Sequence, residues 1–531
     1  MASRKEIRSR KRRIIWNNDG DDLCITANYN SPGAEWTLPG KEPFYAHFPK
    51  RFETVDDFLR IRMKGKIEGT QVDTIFYQGY TSTPNWEFPS ENTKALGPDP
   101  LRHVVDYAHS NNMEFFYSIR MNDIHHAVHQ GTFMWAKFMV ENPHLLQGKV
   151  DREWFDEKVL PWVRGETEKH PLTDALEAGR RLLVPYEGRK PSDFRTWAAY
   201  DWGRREVRDY FLGVVKEACR RYDLDGIELD WSRTPPFFKT EYRANAPVMT
   251  DFVRQVRLWL DAWGQERGRP ALLAVHVPDS PVDSLNVGLD VRMWLQEGLI
   301  DIVIGGFGGR PFTCAISEWA RVGHEHGVPV YGCIENGLPY QAKTEVVRAT
   351  AQRYFDAGAD GAAMYDHFYE VSVLPPGNPG VVWPQPSKPK VLYEIGDPAG
   401  LRRLDKTYCV DTYGGLAGLP VRLSTESGPS RTRLTFEIAE DPAEASHVIL
   451  QAQWAADTDI RRVSLCLNGA PVPGGRPFVQ ENESDDQNWY AHEATSLRKG
   501  LNTLEVTAQP SDGGADKLLL KQVRAAIRYA R

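Results

Sequence analysis

The segment YDLDGIELDWSRTPP (222–236) places two carboxylates, Glu228 and Asp230, within a short apolar run. Such a run is typical of a buried strand, along which side chains alternate between two faces. Glu228 and Asp230 therefore share one face, while Leu229 and Trp231 share the other. A buried carboxylate is costly unless a cation, a hydrogen-bond network or a catalytic role accounts for it. The segment predicts a strand that presents acidic side chains to a functional cavity.

A third carboxylate, Glu335, ends another apolar run, VPVYGCIE. Glycoside cleavage needs two carboxyl groups, one as proton donor and one as nucleophile or base. We assign the acid to Asp230 and the nucleophile to Glu335, and the reverse assignment stays open. Glu228 is either a third catalytic carboxylate or the ion-pair partner of Arg120, and neither interpretation is preferred. Helix capping, or a salt bridge from Asp230 to Arg233, is the structural alternative.

Further polar and aromatic side chains fall where other predicted strands end. Each is weak evidence alone, because Asn and Asp also cap helices at such junctions. Together they predict a polar, acid-rich cavity of the kind in which barrel enzymes keep their active sites. Indole faces stack on sugar rings, and core packing is the alternative for each Trp. The candidate substrate-binding residues are Trp16, Asn18, Asp19, Arg120, Asn122, Asp123, His125, Trp231, Arg233, His276, Asp366 and His367.

Positioning these residues requires a regular set of buried strands. Short apolar, β-branched runs bounded by Gly, Pro, Asn or Asp recur along the first part of the chain, as expected for buried parallel strands. Helical periodicity lies between them, as in GRREVRDYFLGVVKEACRRY (203–222). This alternation predicts an α/β fold, a closed (β/α)₈ TIM barrel, with an open doubly wound sheet as the alternative. The eight runs are 13–18, 72–78, 113–120, 225–231, 271–277, 300–306, 328–335 and 361–368.

A Pro-rich stretch at 374–391 separates two parts of the chain. Residues 1–400 are predicted to form the catalytic barrel, with an insertion at 121–205 that is too long for a plain crossover. We interpret the insertion as a lid or substrate-binding subdomain, and the alternative is an insertion without a functional role. Residues 401–531 carry short alternating strands, which predict a jelly-roll-like β-sandwich. This domain either binds glycan or braces the barrel, and its edge strands are compatible with a homo-oligomer.

The segment YDLDGIELDWSRTP, preceded by DWGRREVRDYFLGVVKEACRRY, resembles the family 10-like glycosyl hydrolase group of bacterial TIM-barrel proteins. The segment FFYSIRMNDIHH is similar to the same group, and the resemblance covers about residues 10–400. It implies a glycoside-cleaving barrel without naming a substrate. The Asp-Gly-x-Glu-x-Asp pattern is also similar to family 18 chitinases, but Ser232 stands where those enzymes have their glutamate acid. The Asn-Glu pair that many clan A glycosidases have on this strand is absent as well.

Composition argues against several other classes of protein. The net charge of −7 disfavours a nucleic-acid binder, and we interpret the basic run 4–13 as a solvated arm. No stretch reaches the ~18 apolar residues of a membrane span, and no apolar segment follows the basic start as in a secretion signal. The sequence as written therefore predicts a cytoplasmic protein, with a secreted protein whose signal has been removed as the alternative. The six cysteines are far apart without zinc spacing, which predicts reduced thiols, and no cofactor is expected.

Two other functions compete with the predicted hydrolase of an oligo- or polysaccharide. A non-catalytic carbohydrate-binding barrel is kept open by Ser232. A metal-dependent barrel isomerase or hydrolase would use divalent-ion ligand types at the strand ends, although no HxH or HExxH spacing supports it. Those ligand types are Asp123, His125, His276, Glu335 and Asp366.

Overall fold

A closed barrel followed by two antiparallel sheets makes up the protein. The structure is a computed structural model that describes residues 3–18, 20, 54–80, 84–87, 96–128, 135–148, 152–167, 196–306, 312, 314–335, 343–365, 390–410, 419–455, 458–478, 488–510 and 518–530.

Eight parallel strands close the barrel in sequence order, and β8 pairs with β1. This confirms the predicted (β/α)₈ fold, and each strand overlaps one of the predicted apolar runs. Each strand is an almost continuous apolar run because both faces of the sheet are covered. The helices cover the outer face, and the side chains that fill the lumen cover the inner face. They are β1 (Ile14–Asn18), β2 (Val72–Tyr80), β3 (Glu114–Arg120), β4 (Gly226–Asp230), β5 (Leu272–Val277), β6 (Ile302–Gly305), β7 (Val330–Glu335) and β8 (Gly361–Tyr365).

Helices lie between the strands. The α-helices span Arg4–Arg8, Val55–Leu59, Gly65–Ile67, Leu101–Ser110, Lys137–Glu141, Arg152–Trp154, Leu160–Val163, Arg205–Arg221, Ala246–Glu266, Pro281–Asn286, Val291–Gln296, Ile316–Glu325 and Thr344–Asp356. π-Helical turns span Arg60–Lys64 and Phe155–Val159, and 3₁₀ helices span Asn85–Glu87, His125–Val128, Pro143–Leu145, Thr196–Ala198, Lys390–Tyr393, Pro442–Glu444 and Ile460–Arg462. None of the helices that the structure describes combines the length and the apolar character needed to cross a membrane.

Side-chain alternation divides every strand between the lumen and the layer beneath the helices. On β4, Ile227 and Leu229 belong to the large core under the helices. Glu228 lies in register with Ala274, which belongs to the apolar cluster inside the lumen, so Glu228 faces the lumen too. The lumen cluster is Ile15, Phe76, Phe116, Leu272, Ala274, Ile302, Ile304, Tyr331, Cys333, Ala363 and Tyr365.

Four aspartates fix the strand register at the amino-terminal end of the barrel. Each lies at the start of an even-numbered strand, and its carboxylate accepts a hydrogen bond from a backbone N–H of the preceding odd-numbered strand. The bonds are Arg13 N–H to Asp73 (3.0 Å), Phe115 N–H to Asp225 (2.8 Å), Leu273 N–H to Asp301 (2.9 Å) and Val330 N–H to Asp360 (2.7 Å). This fixed register also determines which side chains meet at the opposite end of the barrel.

The basic amino-terminal run is docked on this end of the barrel, which corrects the expectation of a solvated arm. Arg12 is fully buried and donates two hydrogen bonds, of 2.6 and 3.0 Å, to the buried Glu114 carboxylate. Arg4 Nε lies 3.2 Å from a carboxylate oxygen of the buried Asp301. The arm is ordered because its guanidinium groups neutralise carboxylates that the barrel buries.

Replacing Arg12 with methionine is expected to destabilise the barrel by about 3–5 kcal/mol, because Glu114 loses its buried, doubly hydrogen-bonded guanidinium partner and keeps only the half-exposed Arg10 at 3.7 Å. The free energy of unfolding, followed by tryptophan fluorescence in denaturant, measures this effect. Arg205→Met is the matched control, since Arg205 pairs with Asp209 on the exposed face of a barrel helix and should matter little. An Arg12→Met protein as stable as the control would contradict the prediction.

The segment after β3 carries short helices in its described parts and lies against the loop after β4. The Asn122 side-chain amide accepts a hydrogen bond from Tyr200 N–H (3.1 Å) and donates one to the Thr234 carbonyl (2.8 Å). An isolated antiparallel bridge joins Leu146 to Tyr200. The insertion thus sits at the carboxyl-terminal rim of the barrel near β3 and β4. Its role as a lid stays a prediction.

The carboxyl-terminal part is a β-sandwich, as predicted. One sheet has the order β10–β18–β12–β16–β15, with β9 also paired to β18, and the other has the order β11–β17–β13–β14. The strands are β9 (Lys406–Val410), β10 (Val421–Leu423), β11 (Ser430–Ile438), β12 (His447–Trp454), β13 (Val463–Leu467), β14 (Ala470–Pro471), β15 (Arg476–Phe478), β16 (Asn488–Glu493), β17 (Gly500–Ala508) and β18 (Leu518–Arg528).

The helix Thr344–Asp356, the last helix of the barrel, contacts the sandwich. Its Ala349 belongs to the sandwich core, and Val346 packs against Cys409 of β9. Because this helix lies between β7 and β8 in the chain, the sandwich supports the side of the barrel that carries those two strands.

Candidate active site

The carboxyl-terminal end of β4 holds a fully buried carboxylate, Asp230. Its Oδ1 accepts hydrogen bonds from the Ser232 backbone N–H (2.8 Å) and the Ser232 hydroxyl (2.6 Å). Its Oδ2 accepts a hydrogen bond of 2.6 Å from the Tyr365 hydroxyl of β8, on the other side of the lumen. These donors come from two distant parts of the chain and fix the carboxylate in one orientation.

His276, at the end of β5, approaches the same carboxylate. Its Nδ1 lies 3.4 Å from Asp230 Oδ1, and its Nε2 lies 2.7 Å from the Gly306 carbonyl oxygen. A carbonyl oxygen only accepts hydrogen bonds, so Nε2 carries a proton. Nδ1 faces the Asp230 carboxylate, and the positive charge that the ring carries when Nδ1 is also protonated lowers the pKa of that carboxyl group.

Arg233 reaches Asp230 through Tyr365. Arg233 Nε donates a hydrogen bond of 2.9 Å to the Tyr365 hydroxyl, and the guanidinium carbon lies 4.9 Å from the centre of the Tyr365 ring. Because the phenolic oxygen accepts from Arg233, its own proton is directed to Asp230. The three side chains form a hydrogen-bonded relay from a cation to the buried carboxylate.

The net effect of these contacts is a lowered pKa for Asp230. Burial raises the pKa of the carboxyl group. The positive charges of His276 and Arg233 lower it, and so do the hydrogen bonds from Ser232 and Tyr365, and together they outweigh burial. Asp230 is therefore an ionised carboxylate at neutral pH, which suits a nucleophile or base and not a proton donor.

Glu335 ends β7 in register with Tyr365 at the end of β8. Residues in register on neighbouring parallel strands present their side chains to the same face of the sheet. Since the Tyr365 hydroxyl crosses the lumen to Asp230, the Glu335 side chain faces the lumen as well. Glu335 is half-buried, whereas Asp230 is fully buried. The register thus places a second, more exposed carboxyl group on the wall that bears Tyr365.

The other predicted charged residues, Glu228 and Arg120, also lie at this end of the barrel. Glu228 is fully buried, one lumen-facing position before Asp230. Arg120 lies in register with Asp230 and pairs with Asp123 at 3.2 Å, both side chains being buried. The predicted ion pair between Glu228 and Arg120 stays a prediction.

The two strand-end tryptophans lie elsewhere, which corrects the expectation that they contact sugar. Trp16 and Trp231 are both fully buried in the core beneath the helices. Trp231 packs edge-to-face on Trp202 and Phe237, with ring centres 4.9 and 5.0 Å away. Both indoles occupy strand positions that face away from the lumen, so neither forms part of the site.

Two predicted asparagines make structural contacts, and their assignment to substrate binding stays a prediction. The Asn18 side-chain oxygen accepts a hydrogen bond from Gly20 N–H (2.9 Å) and closes the turn after β1. The Asn122 amide is fully buried and joins the insertion to the loop after β4, as described above. Asp19, Asp366 and His367 lie outside the described residues, and so does the His125 side chain, although the His125 backbone begins a 3₁₀ helix.

Sequence reasoning missed Tyr365 and Ser232 as parts of the site. A tyrosine as the last residue of a strand whose lumen-facing neighbours are Gly361 and Ala363 is a weak signal that a hydroxyl enters the cavity. Ser232, two residues after Asp230, has the spacing at which a backbone N–H closes an Asx-type turn on the aspartate side chain. Neither signal reveals that both residues bond the same carboxylate.

Across the described part of the chain, no group of three or more His, Cys, Asp or Glu side chains is arranged to hold a metal ion. Two members of the proposed metal set, the His125 side chain and Asp366, lie outside that part. The metal-dependent alternative therefore stays a prediction.

Fold and site together define a (β/α)₈-barrel protein with an oriented, ionised carboxylate at the carboxyl-terminal ends of its strands, where barrel enzymes hold their active sites. No sequence family matches the chain. No curated protein matches it either.

Several solved structures align with this chain at low sequence identity. A cycloisomaltooligosaccharide glucanotransferase from Paenibacillus sp. is 10% identical, with 91% of this chain and 58% of that enzyme covered and a TM-score of 0.33. An alpha-amylase from Geobacillus thermoleovorans is 11% identical over 94% of this chain and 100% of the amylase (TM-score 0.39). The PgaB glycoside hydrolase domain from Bordetella bronchiseptica is 10% identical over 67% of this chain and 94% of that domain (TM-score 0.39). We base the fold on the strand pairing and draw no functional conclusion from these similarities.

Proposed function

We propose that this protein is a glycoside hydrolase in which Asp230 is the nucleophile or base and Glu335 is the proton donor. The observation that carries the proposal is the Asp230 carboxylate, which is buried, ionised and held by Ser232 and Tyr365 at the barrel mouth. A carboxylate kept charged inside a protein and placed at a strand end of this fold is a candidate for chemistry.

The proposed roles reverse those assigned from the sequence. A proton donor must be protonated at the working pH, whereas the surroundings of Asp230 favour its charged form. Among the residues that the structure describes, Oδ1 accepts two hydrogen bonds and Oδ2 accepts one. Each carboxylate oxygen has two lone pairs, so Oδ2 retains one for attack on the anomeric carbon or on a water molecule.

The relay from Arg233 through Tyr365 would stabilise this carboxylate when the bond to the sugar breaks and the charge returns to Asp230. Glu335, on the strand beside Tyr365, would then protonate the departing oxygen. The two carboxyl groups come from β4 and β7 and face one lumen, as a pair of glycosidase carboxylates must.

The first test measures turnover with aryl glycosides of the common hexoses and pentoses and with oligosaccharides, with and without chelator. Hydrolysis that survives chelator supports the proposal, and activity lost in chelator and restored by a divalent ion would favour the metal-dependent alternative. ¹H NMR of the first-formed anomer distinguishes a nucleophilic Asp230, which retains the configuration, from a base, which inverts it. Glycan binding without turnover would favour the non-catalytic barrel.

Replacing Tyr365 with phenylalanine removes a donor to the Asp230 carboxylate, so the pKa of Asp230 is expected to rise. Because the carboxylate is the active form, activity is lost as pH falls through this pKa. The acidic limb of the kcat/KM profile should therefore move to higher pH, by about one unit for one charge-assisted hydrogen bond. The pH–rate profile measures the shift.

Tyr331→Phe is the matched control for this variant. Tyr331 also belongs to the lumen cluster, but it lies near the start of β7, beside Gly361 at the other end of the barrel. Its profile should coincide with that of the unmodified protein. An acidic limb that stays in place in Tyr365→Phe would remove Tyr365 from the machinery that keeps Asp230 ionised.

A further inference from the structure

Three polar side chains lie next to one another inside the barrel, one lumen-facing position below the level of Asp230. Gln78 of β2 is in register with Ser118 of β3, and Ser118 is in register with Glu228 of β4. All three are buried, with exposed fractions of 3%, 0% and 0%. We call Gln78, Ser118 and Glu228 the polar floor.

The polar floor rests on an apolar layer. The rings of Phe76 and Phe116, the preceding lumen-facing residues of β2 and β3, stack with centroids 4.5 Å apart. A polar group of the floor therefore cannot reach the amino-terminal end of the barrel for a partner. A partner has to come from the same level of the lumen or from the direction of Asp230.

Two atoms of the floor have unmet hydrogen-bonding capacity. Within the part of the chain that the structure describes, the Ser118 hydroxyl and the Gln78 Oε1 have no hydrogen-bond partner. The Gln78 amide is held in place because its Nε2 donates to the Tyr80 carbonyl (2.8 Å), which directs Oε1 elsewhere. Buried polar atoms are almost always bonded, so unbonded ones at a barrel centre call for a ligand or a water molecule.

Three side chains opposite the floor are small. Ala274 is in register with Glu228, and Cys333 and Ala363 pair with each other two residues before Glu335 and Tyr365. Barrel layers are usually filled by bulky branched residues. Ala274, Cys333 and Ala363 depart from this pattern, whereas Ile302, in register with Ala274, and Ile15, in register with Ala363, keep it, so the polar wall faces an apolar wall with three small positions.

We propose that the polar floor binds a hydroxyl group of the sugar whose anomeric carbon lies at Asp230. Two residues along a strand span about 6.6 Å, which is the scale of one pyranose ring. The polar wall would bond one edge of the ring, and the apolar wall would contact its C–H groups. For the identity of the ligand this inference rests on the proposed function.

The chemistry of the floor selects a hydroxyl group. Gln78 Oε1 only accepts hydrogen bonds, so the ligand must donate one to it. The Ser118 hydroxyl can both donate and accept. A sugar hydroxyl supplies a donor to one neighbour and an acceptor for another, as a water molecule also does, and the experiment separates these two occupants.

The test measures sugar binding in the full, otherwise unmodified chain, because free monosaccharides contain no glycosidic bond and are not consumed by hydrolysis. Glucose, galactose, mannose and xylose at millimolar concentration are titrated by calorimetry, with and without Ser118→Ala. We expect at least one sugar to bind and to lose about 5-fold or more in affinity when the Ser118 hydroxyl is removed. Ser118→Cys, which keeps the shape, serves if the alanine variant does not fold.

Thermal unfolding supplies a readout that does not depend on activity. Ser118→Ala removes an unbonded hydroxyl, so its Tm should stay the same or rise. Ser284→Ala is the matched control, because the buried Ser284 hydroxyl donates to the Ser280 carbonyl (3.0 Å) and its loss should lower the Tm. A fall in Tm for Ser118→Ala equal to that of the control would mean that the hydroxyl holds a structural water, which overturns the proposal.

Two further outcomes also overturn it, namely unchanged affinity for every sugar that binds, and no binding of any of the four. If the unmodified chain hydrolyses no glycoside and yet binds a sugar through Ser118, the proposed function is wrong, but the proposal that the polar floor binds sugar is supported. If hydrolysis occurs and the Ser118→Ala variant matches the unmodified chain in affinity and KM, the proposed function is supported, but the proposal for the polar floor is wrong.

Discussion

Asp230→Asn is expected to reduce turnover by about 10⁴-fold or more, the scale seen when a covalent nucleophile is removed. Asparagine keeps the shape of the side chain, and its single amide oxygen can still accept the two hydrogen bonds from Ser232, whereas its NH₂ group replaces the oxygen that accepts from Tyr365. It cannot attack an anomeric carbon as an anion or deprotonate water. The measurement is the steady-state rate on the best aryl glycoside, with the Tm as a check that the barrel is folded.

Azide distinguishes the two roles open to Asp230. In Asp230→Gly, azide can enter the space left by the carboxylate and restore the reaction as a glycosyl azide of inverted configuration, if Asp230 is a nucleophile. Asp106→Asn is the control, because Asp106 is exposed on a barrel helix and its substitution should leave the rate unchanged. A rate near that of the unmodified protein in Asp230→Asn would remove Asp230 from the catalytic pair.

Glu335→Gln is expected to lower the rate by about 10²–10⁴-fold on substrates with poor leaving groups, because these need a proton from a general acid. Substrates with good leaving groups, such as dinitrophenyl glycosides, need no such proton and should lose far less. The dependence of rate on leaving-group pKa, compared between Glu335→Gln and the unmodified protein, measures this difference.

Glu318→Gln is the control for this second variant, since Glu318 lies exposed on a barrel helix and should not affect either class of substrate. Equal losses on good and poor leaving groups would contradict a proton-donating role for Glu335. The sequence-based assignment, with Asp230 as acid, predicts the opposite pattern, in which Asp230→Asn spares the activated substrates. The two variants together therefore decide which carboxylate has which role.

The barrel could be predicted from the sequence because each strand has a recognisable local pattern of residues. A strand buried on both sides must be apolar at nearly every position, and the loops between strands and helices contain turn residues. The exceptions, Glu228 and Asp230 on β4, were visible for the same reason. A charged residue in such a run is costly, and at least Asp230 is surrounded by groups that stabilise its charge.

The alternation of side chains along each strand also predicts that the tryptophans face away from the site. Alternation places Trp231 on the face of Leu229, away from Asp230, and the structure has it in the core under the helices. Trp16 follows the same rule on β1. The contacts of the amino-terminal arm, in contrast, could not be predicted from the local sequence. A run of arginines has the same pattern whether its side chains are solvated or pair with the buried carboxylates of Glu114 and Asp301.

By itself the sequence determined the eight strands, the sandwich that follows them and the face on which the β4 carboxylates lie, since hydrophobic period and turn chemistry are properties of neighbouring residues. Only the tertiary structure decided that Tyr365 bonds Asp230, that Arg233 acts through Tyr365, and that Gln78 and Ser118 lie beside Glu228. The hydrogen bonds among them join residues up to 135 positions apart, as with Asp230 and Tyr365. They depend on barrel closure and register, which no local pattern encodes.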